Sequence, residues 1–251
     1  MNGLFIAYLV FYLLLGHVSA YNFWKHRWAG FLPWFYLNLF CLSRIACGAL
    51  GIADSDGLAP NIIVSIGVTP LILTVDGLLH EARTCRNPRQ HKRLNWSVVI
   101  MNTVLTGAAV ALAVTGALDI YDGYPHPDSL SHWKAGMGLM VAVWAILILW
   151  ALFALLPSQR RMDAEGYQEG TTFLQGAFIA LALVGIRVIY GLVAVCTQRG
   201  DLSPVFGGVA VRVVLVFLPE AIAASIVAFV GVRTRNIRRG AQQKGIDMDR
   251  V

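Results

Sequence analysis

Five ionisable side chains stand inside long apolar runs of this sequence: Arg44, Asp76, Arg187, Arg212 and Glu220. At the centre of a membrane span each costs roughly 2.5–3.5 kcal/mol, together on the order of 15 kcal/mol, as much as the whole stability of many domains. Such groups persist where they meet one another or line a hydrated cavity. A carboxyl group in an apolar site keeps its proton near neutrality. Glu220 and Asp76 are therefore candidate general acids, able to protonate an epoxide or an olefin, with aromatic walls to stabilise the carbocation that follows. The arginines outnumber the acids at their depth. Excess positive charge suits an anionic or phenolic ligand, so Arg44, Arg187 and Arg212 are candidate substrate-binding residues, with Tyr190 and Phe217 as π neighbours.

The elements that must position these groups are membrane helices. Of 251 residues, 57% are hydrophobic and 14% charged, where a soluble domain carries about a quarter charged. Window reading places seven spans near 3–22, 31–53, 59–80, 96–118, 134–156, 171–195 and 206–232, each close to the 20 or so residues a bilayer needs. The expected fold is all-α: one seven-helix transmembrane domain over 1–232, followed by a basic tail over 233–251. Alternate connections and the tail hold 15 lysines and arginines, and the other connections hold Lys134 and Arg199. The positive-inside rule then predicts a lumenal N-terminus and a cytosolic tail. The same bias explains the net charge of +6 without nucleic acid. The first span ends in "HVSA" but lacks a basic leader segment, and is expected to be retained.

Depth sorts the charges. Arg44, Arg187 and Arg212 lie six to nine residues from the lumenal ends of their spans and are expected to converge. Glu220 is eight residues beyond Arg212, about 12 Å along a helix axis and about 80° around it. Pro219 should free a backbone carbonyl one turn earlier and bend that span. Asp76 lies toward the cytosolic side, with His80 one turn on, and His17 in the first span suits an interhelical hydrogen bond. Small-residue stripes (Cys41, Gly48 and Gly51; Gly176, Ala180 and Gly191) put Arg44 and Arg187 on packing faces. Two readings stay open. Arg–Glu and Arg–carbonyl ties fix helix register, or a cavity opens toward the lumen with Glu220 at its floor.

Several classes are excluded. The last span has no lysine for a retinal Schiff base, and no D-D-x-x-D motif exists to hold the magnesium of a diphosphate-ionising enzyme. The six histidines are scattered, and no P-loop or G-x-S-x-G occurs. Cys41, Cys47, Cys85 and Cys196 form no C-x-x-C pair. No metal and no cofactor is expected.

Four stretches carry a resemblance: "SRIACGALG" (43–51), "SIGVTPLILTVDGLL" (65–79), "IRVIYGL" (186–192) and "LPEA" (218–221). In these and in size, the chain resembles fungal seven-span integral membrane proteins and is similar to the small membrane-bound terpene cyclases of meroterpenoid pathways, of the ascofuranone and macrophorin type. The resemblance implies cyclisation of a prenylated aromatic or quinol substrate, begun by protonating a terminal epoxide or olefin. It implies an integral membrane location in the endoplasmic reticulum, and lipophilic small molecules and membrane lipid as partners. The rival expectation is a seven-span protein that binds or carries a lipid or small molecule without changing it.

Overall fold

The computed structural model of the chain describes residues 2–26, 30–54, 57–88, 92–121, 127–199, 202 and 207–234. Helices dominate, and no strand occurs among the described residues. Seven segments are long and apolar enough to cross a membrane, in register with the seven apolar runs of the sequence. In chain order the helices are α1 (Asn2–His26), α2 (Phe31–Ala53), α3 (Leu58–Ile66), α4 (Thr69–Arg86), α5 (Lys92–Tyr121), α6 (Ser129–Phe153), α7 (Tyr167–Thr197), α8 (Val209–Arg212) and α9 (Leu218–Arg233). The basic tail lies outside the described residues from position 235, as do 122–126 of the connection before α6.

Packing follows chain neighbours and then closes across the bundle. α1 lies on α2, α2 on α4, α4 on α7, α7 on both α6 and α9, and α6 on α5. The third span is the most enclosed of the seven. Close approach depends on glycine. A Cβ on Gly48 would stand 2.8 Å from the Leu9 backbone nitrogen, and one on Gly136 would stand 2.6 Å from that of Ala113. In lipid, where apolar surface gives no preference for protein over solvent, such contacts supply much of the association. At the basic end, Asn22 donates to the Ala228 carbonyl at 2.9 Å, and the Arg86 Nη1 donates to the Ala154 carbonyl at 2.9 Å.

Two spans are irregular: the third, where no break was expected, and the seventh, where Pro219 was expected to bend the helix. The third is two helices: α3 stops at Ile66 and α4 starts at Thr69. Pro70, in the first turn of α4, has no N–H for the Ile66 carbonyl, which accepts instead from Thr69 Oγ1 at 2.6 Å. Gly67 closes α3 by donating to the Ile63 carbonyl at 2.9 Å. The seventh span contains a π-helical turn over Val213–Phe217, ending two residues before Pro219. There the Leu218 N–H donates to the Val213 carbonyl, five residues back, and Pro219 offers no N–H to the Leu215 carbonyl.

Candidate functional site

At the break between α3 and α4 the last carbonyls of α3 keep accepting capacity inside the bundle, although that of Ile63 already takes the Gly67 N–H. Carbonyls with open lone pairs at a helix end, away from bulk water, take side-chain donors. Two arginines supply them. Arg44 of α2 donates from Nη1 to the Ile63 carbonyl at 3.2 Å. Arg187 of α7 donates from Nη2 to the Val64 and Ser65 carbonyls at 2.7 and 3.2 Å. A helix C-terminus carries partial negative charge, so cations are favourable there.

Glu220 of α9 completes the cluster. Its Oε1 accepts from Arg44 Nη2 at 2.7 Å and from Arg187 Nε at 3.0 Å. Both ion pairs are fully buried. One carboxylate and one helix terminus thus serve two guanidinium groups on two other helices, tying α2, α3, α7 and α9 together at one depth. Separate buried atoms of the cluster keep unused capacity: Glu220 Oε2, Arg44 Nε and Arg187 Nη1 have no hydrogen-bond partner.

An aromatic wall stands against the clamp. The Arg44 guanidinium lies 5.6 Å from the Tyr8 ring and 5.4 Å from the Phe40 ring. Tyr8, Phe11 and Tyr12 fall on one side of α1 and meet Phe217 edge-on at 5.1, 5.8 and 6.3 Å between centroids. On the outer side of this wall is a groove of about 430 Å³ lined by Phe11, Phe217, Leu218, Ile222, Ser225 and Phe229, among others. Leu218, Ile222 and Phe229 are exposed, so the groove opens on the lipid-facing surface of the bundle.

Of the sequence-derived site residues, Arg44, Arg187 and Glu220 come together, and Phe217 stands in the wall beside them. Arg212 stands over the Phe5 ring at 5.6 Å and within electrostatic reach of Cys47 and Tyr190, as Arg44 and Arg187 respectively do, while the salt bridges of Glu220 go to Arg44 and Arg187. The π turn between Arg212 and Glu220 rotates Arg212 off the phase of a regular helix. Tyr190 packs its ring 6.0 Å from the Arg187 guanidinium and donates its hydroxyl to the Leu202 carbonyl at 2.9 Å. Asp76 is elsewhere, facing α5, where Asn102 Nδ2 donates to its Oδ1 at 3.2 Å. His17 makes no interhelical hydrogen bond: it is exposed, and its Nδ1 contacts the Leu13 carbonyl of its own helix at 2.7 Å.

Sequence reasoning passed over Tyr8, Phe11, Tyr12 and Phe40. The signal was the helical spacing of the three aromatics on α1, which an isolated span does not distinguish from ordinary lipid-facing residues. The α3 carbonyls were also missed, although Gly67 and Pro70 mark the break that exposes them.

Neither the curated proteins nor the solved structures contain a match to this chain. A family model does match, over residues 1–237, and the chain belongs to the family it describes, Domain of unknown function (DUF7702).

Proposed function

We propose that the protein takes a lipophilic small molecule laterally from the bilayer into the groove between α1 and α9 and acts on it as a membrane-bound terpene cyclase. The observation that carries this reading is the stacking order of groove, aromatic wall and carboxyl group. A prenyl chain in the groove meets Phe11 and Phe217, with Tyr8, Tyr12 and Phe40 behind them and Glu220 behind those. Electron-rich ring faces stabilise positive charge, which a cyclisation cascade requires at successive carbons. The general acid of this reading is Glu220 through Oε2, the oxygen the arginines leave open. The reacting end of the substrate passes between Phe11 and Phe217 to reach it and takes the proton on its epoxide oxygen or olefin, and the final carbocation returns a proton to the carboxylate. The carboxylate left after delivery already has its two counter-ions. The substrate class, a prenylated aromatic or quinol with a terminal epoxide or olefin, rests on the resemblance in the four sequence stretches. Arg212 and Tyr190 are proposed to hold its polar head, the basic connections to face the cytosol, and the endoplasmic reticulum to be the compartment.

A second reading is favoured by the clamp. A carboxylate engaged by two guanidinium groups is a counter-ion first, and a groove open to lipid serves binding as well as catalysis. On this reading the protein binds or carries a lipophile and returns it unchanged. Membranes carrying the chain, supplied with a farnesylated phenol epoxide and extracted for mass spectrometry with chromatography, separate the two. Cyclisation gives an isomer of equal mass and new retention time. Binding alone returns the epoxide.

A further inference from the structure

Away from the clamp, the interface of α4 with α5 carries an unusual run of polar side chains for a membrane interior. The buried line of α5 includes Asn95, Asn102 and Thr106, and the facing side of α4 includes Asp76, His80 and Arg83. Some pairings are made. Arg83 Nε donates to Asn95 Oδ1 at 3.1 Å, Asn102 donates to Asp76, and the His80 ring packs 4.9 Å from that of Trp96. Much is left unmade: Arg83 Nη1, His80 Nδ1, Asp76 Oδ2, Asn102 Oδ1 and Thr106 Oγ1 are buried atoms without a hydrogen-bond partner. They succeed one another along one seam, from the basic end of the bundle inward. Asp76 and His80 are one turn apart on α4, and Asn102 and Thr106 one turn apart on α5, spacings that put side chains side by side. Orphaned polar atoms in such a row are what internal waters satisfy, each water bonding two to four of them.

Asp76 is 2% exposed. Among the described residues no salt bridge reaches it from any packed element, because Arg44 of α2, Arg187 of α7 and Glu220 of α9 are committed to one another. The group that reaches it from α5 is the Asn102 amide, and on α4 itself the nearest ionisable groups in the chain are His80, Glu81 and Arg83. Arg83 is held by Asn95 and lies over the Trp150 ring at 4.0 Å. A buried carboxyl group without a cation, next to a histidine and a row of water-seeking atoms, has the composition of a proton-binding site.

We propose that this seam is a hydrated path by which a proton enters from the basic end of the bundle, passes His80 and is held on Asp76. In the transfer, an N–H bond of the His80 imidazolium breaks and an O–H bond of Asp76 forms. His80 then regains its proton from water at the basic end. The site is independent of the groove and of any reaction there.

The test is infrared difference spectroscopy of the purified full-length protein in lipid nanodiscs, following the C=O stretch of protonated carboxyl groups as buffer pH and then D2O are changed. A carboxyl band that titrates with pH in the wild type and is lost in Asp76→Asn is the expected result. Its exchange in D2O should slow by about a hundredfold in His80→Phe, the low end of what a positioned proton-transfer group contributes. His80→Gln serves as the second variant if the Phe variant unfolds. Absence of any titrating carboxyl band in the wild type overturns the proposal without recourse to a variant. So does a band that survives Asp76→Asn, or exchange at the wild-type rate in a folded His80 variant.

Discussion

Arg44 and Glu220, separated by 176 positions in the chain, meet at 2.7 Å in the interior of the bundle. The same guanidinium reaches back to the Ile63 carbonyl at the end of α3. This double engagement explains how a membrane helix keeps an arginine at depth. The charge is matched partly by a carboxylate and partly by the helix end that Gly67 and Pro70 interrupt. Arg187 repeats the arrangement from α7, so the broken span is held on two sides. The clamp is thus a folding device whatever chemistry the protein performs.

Glu220→Gln should be costly. A neutral amide leaves two buried guanidinium groups without their shared counter-charge, and breaking buried pairs in this way costs about 3–5 kcal/mol. Thermal unfolding of the detergent-purified protein should show a marked loss of stability relative to wild type. That loss is the outcome for a resting carboxylate, the counter-ion reading; an unchanged midpoint would mean that Glu220 rests neutral, as proton delivery from it requires.

Arg44→Lys tests the geometry of the clamp with charge conserved. A lysine presents a single ammonium point and lacks the planar fork that spans Ile63 and Glu220. Losing one of the two engagements should lower stability by about 1–3 kcal/mol, the range for an unmade buried hydrogen bond. A variant as stable as wild type would show that Coulomb attraction alone suffices.

Gly67→Ala places a methyl group 2.6 Å from Arg44 Nη1 and also against the Ile63 carbonyl. The backbone there is ordinary right-handed helix, so the penalty is steric and not conformational. Overpacking of this kind costs about 1–3 kcal/mol. Measured unfolding of the variant within error of wild type would contradict the placement of Arg44 at the break.

Much of this architecture was legible in the sequence. Seven apolar runs gave seven spans, because hydropathy over a bilayer-length window is a strong one-dimensional signal. The burial of Arg44, Arg187 and Glu220 was legible from the cost of leaving them in lipid. Their partners were less so, because pairing depends on helix rotation. Shared depth grouped Arg212 with Arg44 and Arg187, but depth does not tell which arginines reach Glu220, and among the described residues those are Arg44 and Arg187. The break in the third span was written in Gly67 and Pro70, yet the surrounding hydropathy is continuous and conceals it. The polar line of Asn95, Asn102 and Thr106 on α5 was hidden in the same way, since single amides barely lower the mean hydropathy of a span.

The orientation of the bundle is tested by glycosylation mapping. An acceptor site introduced within 122–130 should be modified in microsomes, and one within 86–92 should not. The opposite pattern would reverse the topology proposed from the basic connections.

The proposed function is tested most directly in the groove itself. Ile222 lines it and is 46% exposed, so Ile222→Trp fills the groove from the lipid side without entering the core. The measurement is conversion of a farnesylated phenol epoxide by membranes carrying the wild type or Ile222→Trp, at matched protein level and with the unfolding midpoint checked. The account predicts a cyclised isomer from the wild type, and at least about a tenfold loss from the variant with stability retained, the scale on which misplacing a substrate lowers rate. No isomer from the wild type, or conversion by the filled variant at the wild-type rate, would contradict it.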